Sequence, residues 1–553
     1  MSFVVPRRAA CFAALFGLLQ SGVVHAQTPV FGAGVTNGVV ADTRITEASG
    51  IVASRQNPGV LWTHNDSGFP GTIFALSTNG ATLGLYGVPN VYSGDFEDIA
   101  IGPGPIPGLQ YIYLGDIGDN FATRSGIRVF QIPEPAIYSY ESNAPILSLA
   151  YGSREINLSY PDGAHDAESL MIDPRSGDLF IATKETNSCN LYQATRSQLA
   201  AGTSIELTYV EGVNFRSASA SDISSDGSLL AVRRSNRADV WRRSSSQTVS
   251  NAFLGSSTRV NVIGTPTEPN GEGLGFEANG QGYFTISEGF NPSIYYFPRT
   301  DSGRPRVPTI LIPPGSTWRY LDDGSDQDVA WQITDFDDSF WPEGAGQFGY
   351  GQGDEQTLTY FGYDFAKITT TYFRKQFTVN SLAEITNVLM RLCYNDGIAV
   401  YLNGKELYRR NLSAEAHFDT AAVADRSPWQ NIWWSIPVDP ARLEVGQNTL
   451  AVEVHRFAPD GPDLSFDLQL LEGRIEQPVC FSAAPQRIGD SFRLALSGPP
   501  GALARVEASL DLLNWDVAGE ATLNAAGTAV IDWPADDAAE FFRIQGPYPD
   551  PKP

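Results

Sequence analysis

The chain has 553 residues and a formal net charge of −25, with 62 acidic side chains against 37 basic ones. This balance argues against nucleic acid or an anionic membrane as a partner, because both are negatively charged themselves. The length suits about three domains, and four cysteines in the whole chain are too few for a disulfide framework.

Residues 1–26 are typical of a secretory signal peptide. Arg7 and Arg8 precede the apolar run AACFAALFGLL, and the small residues of VHA precede Gln27. The apolar run is too short to span a bilayer, so we expect a secreted protein, extracellular or periplasmic, with no membrane span after cleavage. Cleavage would take the net charge to −27, and a retained anchor is the alternative.

The rest of the chain is predicted to be nearly all β. Short alternating runs rich in Val, Ile, Tyr and Phe are broken by Gly, Pro, Asn and Asp, and helical spacing of apolar residues is rare. One pattern recurs five times, as ASGIVAS, FEDIAIG, AESLMID, ASDISSD and GEGLGFE. A second apolar run follows each of them: VLWTHND, YIYLGDIGDN, LFIATKE, LLAVRRS and YFTISEG.

Repeats of about four short strands are typical of a β-propeller. We therefore predict a five-bladed propeller over residues 27–312, with a sixth blade possible if residues 29–43 supply more than the closing strand. A pair of β-sandwiches is the alternative.

Two further β-domains are predicted beyond a proline-rich boundary. Residues 316–472 resemble a galactose-binding-like jelly-roll, and the pattern DGIAVYLNGKE from Asp396 to Glu406 is the most specific part of that resemblance. Residues 476–546 are similar to the small C-terminal β-sandwiches of secreted bacterial proteins, and 547–553 form a proline-rich tail predicted to be flexible. Tryptophans 429, 433 and 434 would either bind a polysaccharide or be buried in the sandwich.

In a propeller, the first strand of each blade lines a central channel, and its start lies near the end of the second strand at one mouth of that channel. The repeats therefore predict a polar ring. Its candidate metal ligands are Asp98, Asp116, Glu168, Glu272 and Glu288, and its candidate catalytic residues are His64, Glu97, Lys184 and Arg233.

Converging carboxylates repel one another, and a divalent cation relieves that repulsion. Oxygen ligands of this kind suit Ca²⁺. The cations Lys184 and Arg233 would suit an anionic substrate such as a phosphate ester, or would pair with neighbouring acids. His64 is either a proton carrier or a hydrogen-bonded structural residue. No glycine-rich nucleotide-binding motif is present in the sequence, so we expect no nucleotide cofactor.

The segments EASGIVAS, LWTHNDSG and DFEDIAIG resemble those of phytase-like and SdiA-regulated-type propellers, and the resemblance covers about residues 45–300. In the phytase-like group this implies a calcium-dependent phosphoester hydrolase. It implies metal ligation by Glu97, Asp98, Glu168, Glu272 and Glu288, and phosphate contacts by Lys184 and Arg233. TEASGIVAS, residues 46–54, replaces the aspartate-rich first-blade motif of true phytases.

Three functions remain open from the sequence. The first is a secreted metal-dependent hydrolase of an anionic substrate, with the jelly-roll as a carbohydrate-binding accessory. The second is an extracellular binding or adhesion propeller without catalysis, since the fold hosts both kinds of function. The third is a polysaccharide-degrading glycosidase or lyase that uses Glu97, Glu168 or Glu272 as acid and base. The oligomeric state is not predicted.

Overall fold

A computed structural model describes residues 29–472 apart from 106–108, 138–146, 151, 245–246, 269, 301–308, 352, 361, 364–365, 383–384, 386, 427–431 and 459–460. Beyond residue 472 it describes 480–481, 486–488, 491–497, 503–509, 516–522, 528–534 and 541–545. The predicted signal peptide and the predicted tail lie outside the described residues. Strand makes up 50% of the structure and helix 4%, which confirms the all-β prediction. Among the described residues, no helix has the length and apolar character needed to cross a bilayer.

The first part of the chain consists of short strands and two short helices, α1 (Arg196–Ala201) and α2 (Val249–Phe253). The strands are β1 (Val35–Val39), β2 (Ala48–Ala53), β3 (Val60–Asn65), β4 (Thr72–Ser77), β5 (Thr82–Gly87), β6 (Phe96–Pro103), β7 (Gln110–Asp116), β8 (Ile127–Pro133), β9 (Leu147–Leu149), β10 (Arg154–Ser159), β11 (Ala167–Ile172), β12 (Leu179–Thr183), β13 (Cys189–Ala194), β14 (Ser204–Glu206), β15 (Thr208–Val213), β16 (Ala220–Ile223), β17 (Leu229–Arg234), β18 (Arg237–Arg242), β19 (Ser257–Val260), β20 (Gly271–Phe276), β21 (Gly282–Ser287) and β22 (Ser293–Pro298).

These strands form five open sheets, which we number along the chain. Their strand orders are β2-β3-β4-β5-β9 in sheet 1, β6-β7-β8-β10-β14 in sheet 2, β11-β12-β13-β15 in sheet 3, β16-β17-β18-β19 in sheet 4 and β20-β21-β22-β1 in sheet 5. Neighbouring strands are antiparallel except at two outer edges. There β9 pairs in parallel with β5 in sheet 1, and β14 pairs in parallel with β10 in sheet 2. In sheet 5 the outermost strand is β1, from the start of the described chain, so the two ends of this region meet in one sheet.

The first strands of the five sheets contact one another in a cycle. Strand β2 contacts β6 and β20, β11 contacts β6 and β16, and β16 also contacts β20. Buried carboxylates tie these strands together. Asp98 Oδ2 accepts hydrogen bonds from the backbone N–H groups of Leu170 (2.8 Å) and Ser221 (3.2 Å), and Asp222 Oδ2 accepts one from Phe276 (2.7 Å). Asp98 and Asp222 are thus accommodated in apolar strands because each satisfies backbone donors of other sheets.

The second part of the chain is a sandwich of two six-stranded sheets, with 3₁₀ turns at Ala330–Gln332 and Pro440–Arg442. Its strands are β23 (Thr309–Ile312), β24 (Thr317–Leu321), β25 (Glu343–Ala345), β26 (Phe348–Tyr350), β27 (Thr357–Leu358), β28 (Gly362–Tyr363), β29 (Ala366–Lys367), β30 (Thr370–Val379), β31 (Val388–Asn395), β32 (Gly397–Leu402), β33 (Lys405–Arg410), β34 (Trp434–Val438), β35 (Gly446–His455) and β36 (Leu464–Glu472).

One sheet of this sandwich has the order β27-β26-β36-β31-β34 with β23 also on β36, and the other has the order β25-β24-β30-β35-β32-β33. The pattern DGIAVYLNGKE forms the β32–β33 hairpin. Asn403 and Gly404 both have positive φ, 51° and 77°, as a two-residue turn of this kind requires.

The remaining described strands are β37 (Cys480–Phe481), β38 (Gln486–Ile488), β39 (Ser491–Ser497), β40 (Leu503–Ser509), β41 (Asp516–Thr522), β42 (Thr528–Pro534) and β43 (Phe541–Gln545). They form two small sheets, β37-β39-β38 with β42 on β39, and β41-β40-β43.

The first two regions are joined by a buried arginine. Arg391 in β31 donates to Gln56 O (3.1 Å), to the Gln56 side chain and to Gln469 Oε1 (2.7 Å), and its guanidinium lies over the Trp433 ring. Because Gln56 lies between β2 and β3, the contact holds the sandwich against sheet 1.

Candidate functional site

Three glutamates at the same position of the repeat are the extra residues of β-bulges. The pairing register of the first strand with the second shifts across Glu97 in β6, Glu168 in β11 and Glu272 in β20. A bulge leaves one residue unpaired and re-aims its side chain, and bulges are enriched beside functional sites. Ser49 and Gly50 lie in a similar shift in β2. The local backbone thus explains why these positions stand out in an otherwise apolar strand.

A second set of equivalent positions follows the second strands. In each sheet, the first-strand residue just before the glutamate position of the repeat pairs with a residue of the second strand. These pairs are Ala48–Asn65, Phe96–Asp116, Ala167–Thr183, Ala220–Arg233 and Gly271–Ser287. The next residue along each second strand is therefore equivalent in all five sheets: Asp66, Ile117, Lys184, Arg234 and Glu288. Sheets 5 and 1 contribute acids here, and sheets 3 and 4 contribute bases.

The glutamates and the strand-end acids form one group, which we call the acidic cluster: Asp66, Asp95, Glu97, Glu168, Glu272 and Glu288. One carboxylate oxygen from each of Asp66, Asp95 and Glu97 lies within 4.8 Å of the others. A side chain at Gly118 would collide with Glu97 Oε1 and Asp95 Oδ2, so the β7–β8 loop closes directly over these carboxylates. Ser49 Oγ donates to the backbone oxygen of Glu97 at 2.6 Å and lies 3.4 Å from Glu272 Oε2.

The electrostatics of the cluster are those of crowded, partly dehydrated carboxylates. The pKa of Glu97 is raised to about 10, first by burial and then by the charges of Glu168, Asp66, Asp95 and Glu272. Burial is also the main cause that raises the pKa of Glu272 to about 8, and those of Asp66 and Glu168 to about 7, again with neighbouring acids adding to it. At neutral pH Glu97 and Glu272 therefore hold protons unless a further positive charge joins them.

Lys184 is the cation that contacts the cluster. Its ammonium forms an ion pair with Glu168 Oε1, and the charge of Lys184 lowers the pKa of Glu168 and of Glu272. The negative charges of Glu168, Glu97 and Asp166 in turn raise the pKa of Lys184 against the opposing effect of burial. The single positive charge of Lys184 does not balance the negative charge that the acidic cluster carries when its carboxyl groups are ionised.

Two oxygens of the cluster are buried without a hydrogen-bond partner in the described structure, Glu168 Oε2 and Asp66 Oδ1. A buried carboxylate oxygen normally accepts hydrogen bonds, so unpaired ones are exceptions that call for an explanation.

Asp95 and Asp66 are cluster members that the repeat comparison did not select as metal ligands. Asp95 precedes β6 by one residue, outside the repeated strand pattern, so its signal was the extra acid in GDFED. Asp66 stands in THND, directly after β3, at the position occupied by Lys184 and Glu288 in other sheets.

Four other predicted site residues are held inside the fold and are not members of the acidic cluster. Asp98 accepts the backbone hydrogen bonds described above, and burial raises its pKa well above the usual range. His64 is fully buried with Nδ1 3.1 Å from Asn65 O, and burial lowers its pKa to about 4, so it is neutral at physiological pH. The oxygens of Asp98 are therefore taken by backbone donors, and His64 carries no positive charge at neutral pH.

Asp116 and Arg233 are each held in buried ion pairs. Asp116 Oδ1 lies 2.9 Å from Arg124 Nη1, and Asp116 Oδ2 lies 2.5 Å from Arg128 Nη2. Arg233 Nη2 donates to Glu268 Oε2 at 2.6 Å, and Nη1 donates to Gly273 O at 2.7 Å. Arg233 is fully buried, so it is not available to a phosphate group. We correct both expectations: these residues hold loops and sheets together.

The tryptophans considered for polysaccharide binding are not on the sandwich surface. Trp433 and Trp434 are 6% and 7% exposed, and they stack against Arg391 and Arg426. Trp429 lies outside the described residues. The two visible rings therefore offer no face to a sugar.

No family model matches the chain, and no curated protein matches it. Solved structures that resemble part of it include β-glucuronidases. One from an uncultured Clostridium species has 12% identity and a TM-score of 0.21 over 45% of this chain and 44% of that enzyme. The Ruminococcus gnavus enzyme has 10% identity and a TM-score of 0.21 over 44% and 42%. The Bifidobacterium dentium enzyme has 13% identity and a TM-score of 0.22 over 44% and 45%.

The chain thus spans less than half the length of these enzymes. At this level of similarity the matches carry no inference about function.

Proposed function

We propose that the five sheets are the blades of a five-bladed β-propeller and that the acidic cluster lies at one mouth of its channel. The cycle of contacts among β2, β6, β11, β16 and β20 supports this arrangement. The pairing of β1 with β22 supports it further, since joining the two ends of the region in one blade is a common way to close a propeller.

The acidic cluster is proposed to bind a divalent cation, Ca²⁺. The donor set fits such an ion: it consists of carboxylate oxygens from several strands, and Glu168 Oε2 and Asp66 Oδ1 are buried without another partner. Asp66, Asp95, Glu97, Glu168, Glu272 and Glu288 are the residues that would hold it. A divalent charge would also offset the repulsion that raises their pKa values.

The protein is proposed to be a secreted hydrolase that acts on an anionic substrate such as a phosphate ester. The single observation that carries this proposal is the juxtaposition of Lys184 with Glu168 inside the acidic cluster. Bound Ca²⁺ would supply Lewis acidity and lower the pKa of a coordinated water. Lys184 is placed to stabilise negative charge that develops on the substrate oxygens. Glu97, whose pKa bound Ca²⁺ would lower, would then be ionised and placed to accept a proton from the attacking water.

The experiment is phosphate release by the mature protein from p-nitrophenyl phosphate, glycerol phosphate and phytate, with Ca²⁺ and with EDTA. We expect release that EDTA abolishes and Ca²⁺ restores, and that Glu168→Gln removes. Asp173→Asn is the matched control, since Asp173 is a buried acid that pairs with Arg243 beyond the opposite end of β11. Failure of every ester to react would exclude the hydrolase.

A binding propeller without catalysis is the second candidate. The observation in its favour is that His64 and Arg233 are sequestered inside the fold, so fewer catalytic groups remain than the repeats predicted. In that case Ca²⁺ would raise the melting temperature of the protein, and phosphate would not be released from any ester in the panel.

A further inference from the structure

Exposed aromatic side chains surround one side of the acidic cluster. Among the described residues between 29 and 300, five aromatic side chains are strongly exposed: Phe69 (45%), Tyr92 (83%), Phe121 (88%), Phe290 (82%) and Tyr209 (49%). Tyr209 lies in a strand, the outer strand of sheet 3, whereas the other four lie in loops; of these, Phe69 also has an edge contact with Phe74. We call the four loop residues Phe69, Tyr92, Phe121 and Phe290 the aromatic rim.

Each rim residue is close along the chain to a cluster acid or to the loop that closes over one. Phe69 follows Asp66 by three residues, Tyr92 precedes Asp95 by three, and Phe290 follows Glu288 by two. Phe121 follows Gly118, the residue that touches Glu97 and Asp95, by three. Three residues span at most about 11 Å, so the backbone of each rim residue lies within that distance of a cluster acid or of Gly118.

Backbone hydrogen bonds anchor the loops that carry Phe121 and Phe290. The backbone N–H of Gly118 donates to Asp95 O (3.2 Å), and that of Gly289 donates to Thr46 O (2.8 Å). The backbone N–H of Asp119 donates to Asp166 Oδ1 at 2.9 Å. Large apolar side chains that are held in the open on anchored loops mark binding surfaces, because the fold itself gains nothing from exposing them.

The rim and the bases occupy different sides of the site. Phe290, Phe69, Tyr92 and Phe121 belong to sheets 5, 1 and 2, where the strand-end charges are Glu288 and Asp66. Lys184 and Arg234 belong to sheets 3 and 4. The loops after their second strands, 184–188 and 235–236, contain no aromatic residue, and Tyr160 and Phe215 in the loops that enter these sheets are not exposed. The exposed loop aromatics therefore lie on the side of sheets 5, 1 and 2, and Lys184 lies on the side of sheet 3 beside Glu168.

From this asymmetry we infer that the substrate is the phosphate ester of an aromatic or similarly flat apolar alcohol. The inference rests on the proposed function. The phosphate would face the cation and Lys184, and the alcohol would pack on the aromatic rim by ring–ring contact. A substrate that carries phosphates all round its ring, such as phytate, would place charge against the apolar side and fit less well.

The test is calorimetric titration of the mature protein in Ca²⁺ with two non-hydrolysable probes, phenylphosphonate and methylphosphonate. We expect phenylphosphonate to bind about tenfold more tightly, the effect of one or two aromatic contacts. The double variant Phe121→Ser with Phe290→Ser should reduce that preference to about twofold or less. Phe340→Ser is the matched control, because Phe340 is 92% exposed but belongs to the β-sandwich, and it should leave the preference unchanged.

The outcomes separate the two proposals. Equal affinity for both phosphonates, or an equal loss in the Phe340→Ser variant, would overturn the aromatic rim while leaving the proposed function intact. Binding of neither phosphonate in Ca²⁺ would overturn both, because the anion site itself would then be wrong. All three phenylalanines are exposed, and a melting temperature within about 2 °C of the unsubstituted protein would confirm that each variant is folded.

Discussion

Lys184 neutralises one oxygen of Glu168, and the other oxygen of the same carboxylate is buried with no hydrogen-bond partner in the described structure. This half-satisfied carboxylate joins the proposed cation site to the proposed anion site. A group of this kind is costly to bury unless a ligand completes it.

Replacing Lys184 should separate substrate charge stabilisation from cation binding. In Lys184→Met we expect kcat/KM for p-nitrophenyl phosphate to fall by about 10²-fold, the usual loss when one charge-stabilising group is removed. Lys184→Arg keeps the charge and should retain more activity than Lys184→Met. Binding of Ca²⁺, measured by calorimetry at pH 8, should survive in both variants. Loss of Ca²⁺ binding in Lys184→Met would instead make the lysine a structural support of the cluster.

The stability of the cation-free protein should fall as pH rises. The pKa values of Glu97, Glu168 and Glu272 are raised in the fold, so the folded state binds more protons than the unfolded chain above pH 4.5. Stability is then greatest below that pH and is lost progressively towards pH 8. In EDTA we expect a lower melting temperature at pH 8 than at pH 5.5, measured by scanning calorimetry.

Calcium should reverse that trend, because the ion replaces the bound protons at high pH. The increase in melting temperature caused by Ca²⁺ should therefore be larger at pH 8 than at pH 5.5. A pH-independent increase would show that Ca²⁺ binds somewhere other than these carboxylates.

Replacing one cluster acid should stabilise the cation-free protein while abolishing its response to Ca²⁺. In Glu97→Gln we expect the free energy of unfolding in EDTA at pH 8 to rise by roughly 1 kcal/mol, because Glu97 must take up a proton on folding at that pH whereas Gln needs none. The melting temperature should then no longer respond to Ca²⁺. Asp173→Asn should behave in the opposite way, losing roughly 3 kcal/mol through its broken ion pair with Arg243 and keeping the Ca²⁺ response.

Arg233 should matter for stability and not for chemistry. It donates to Glu268 and Gly273 inside the fold, so Arg233→Met leaves Glu268 as an uncompensated buried acid. We expect a loss of roughly 3 to 5 kcal/mol in urea unfolding, with the activity per folded molecule unchanged. Glu268→Gln in the same chain should recover part of that loss. A fall in kcat with normal stability would return Arg233 to the catalytic residues.

The sequence identified the glutamates of the site because equivalent positions of a repeat have the same local backbone geometry. Glu97, Glu168 and Glu272 recur at one position of the repeat, and the structure shows that this position is a β-bulge in each of these strands. Likewise Lys184 and Glu288 recur at the end of the second strand, and both lie near the bulged glutamates. Local pattern sufficed here because strand pairing translates equal sequence positions into equal places in each sheet.

The same pattern could not distinguish a carboxylate that faces the cluster from one that bonds to the backbone. Glu97 and Asp98 are neighbours in sequence, and the bulge at Glu97 interrupts the regular alternation of the strand. Glu97 joins the acidic cluster, whereas Asp98 accepts backbone hydrogen bonds from Leu170 and Ser221. The surroundings of each of these two carboxylates are set by the other sheets that pack against β6.

By itself, the sequence determined the all-β class, the repeated strands and the candidate positions, because these follow from alternation, turn residues and spacing along one chain. Only the tertiary structure decided which charges meet. It paired Arg233 with Glu268 and Asp116 with Arg124 and Arg128, and it brought Asp66 and Asp95 to Glu97. The energy of a charge depends on its distance from other charges and from water, and strands far apart in sequence set both distances.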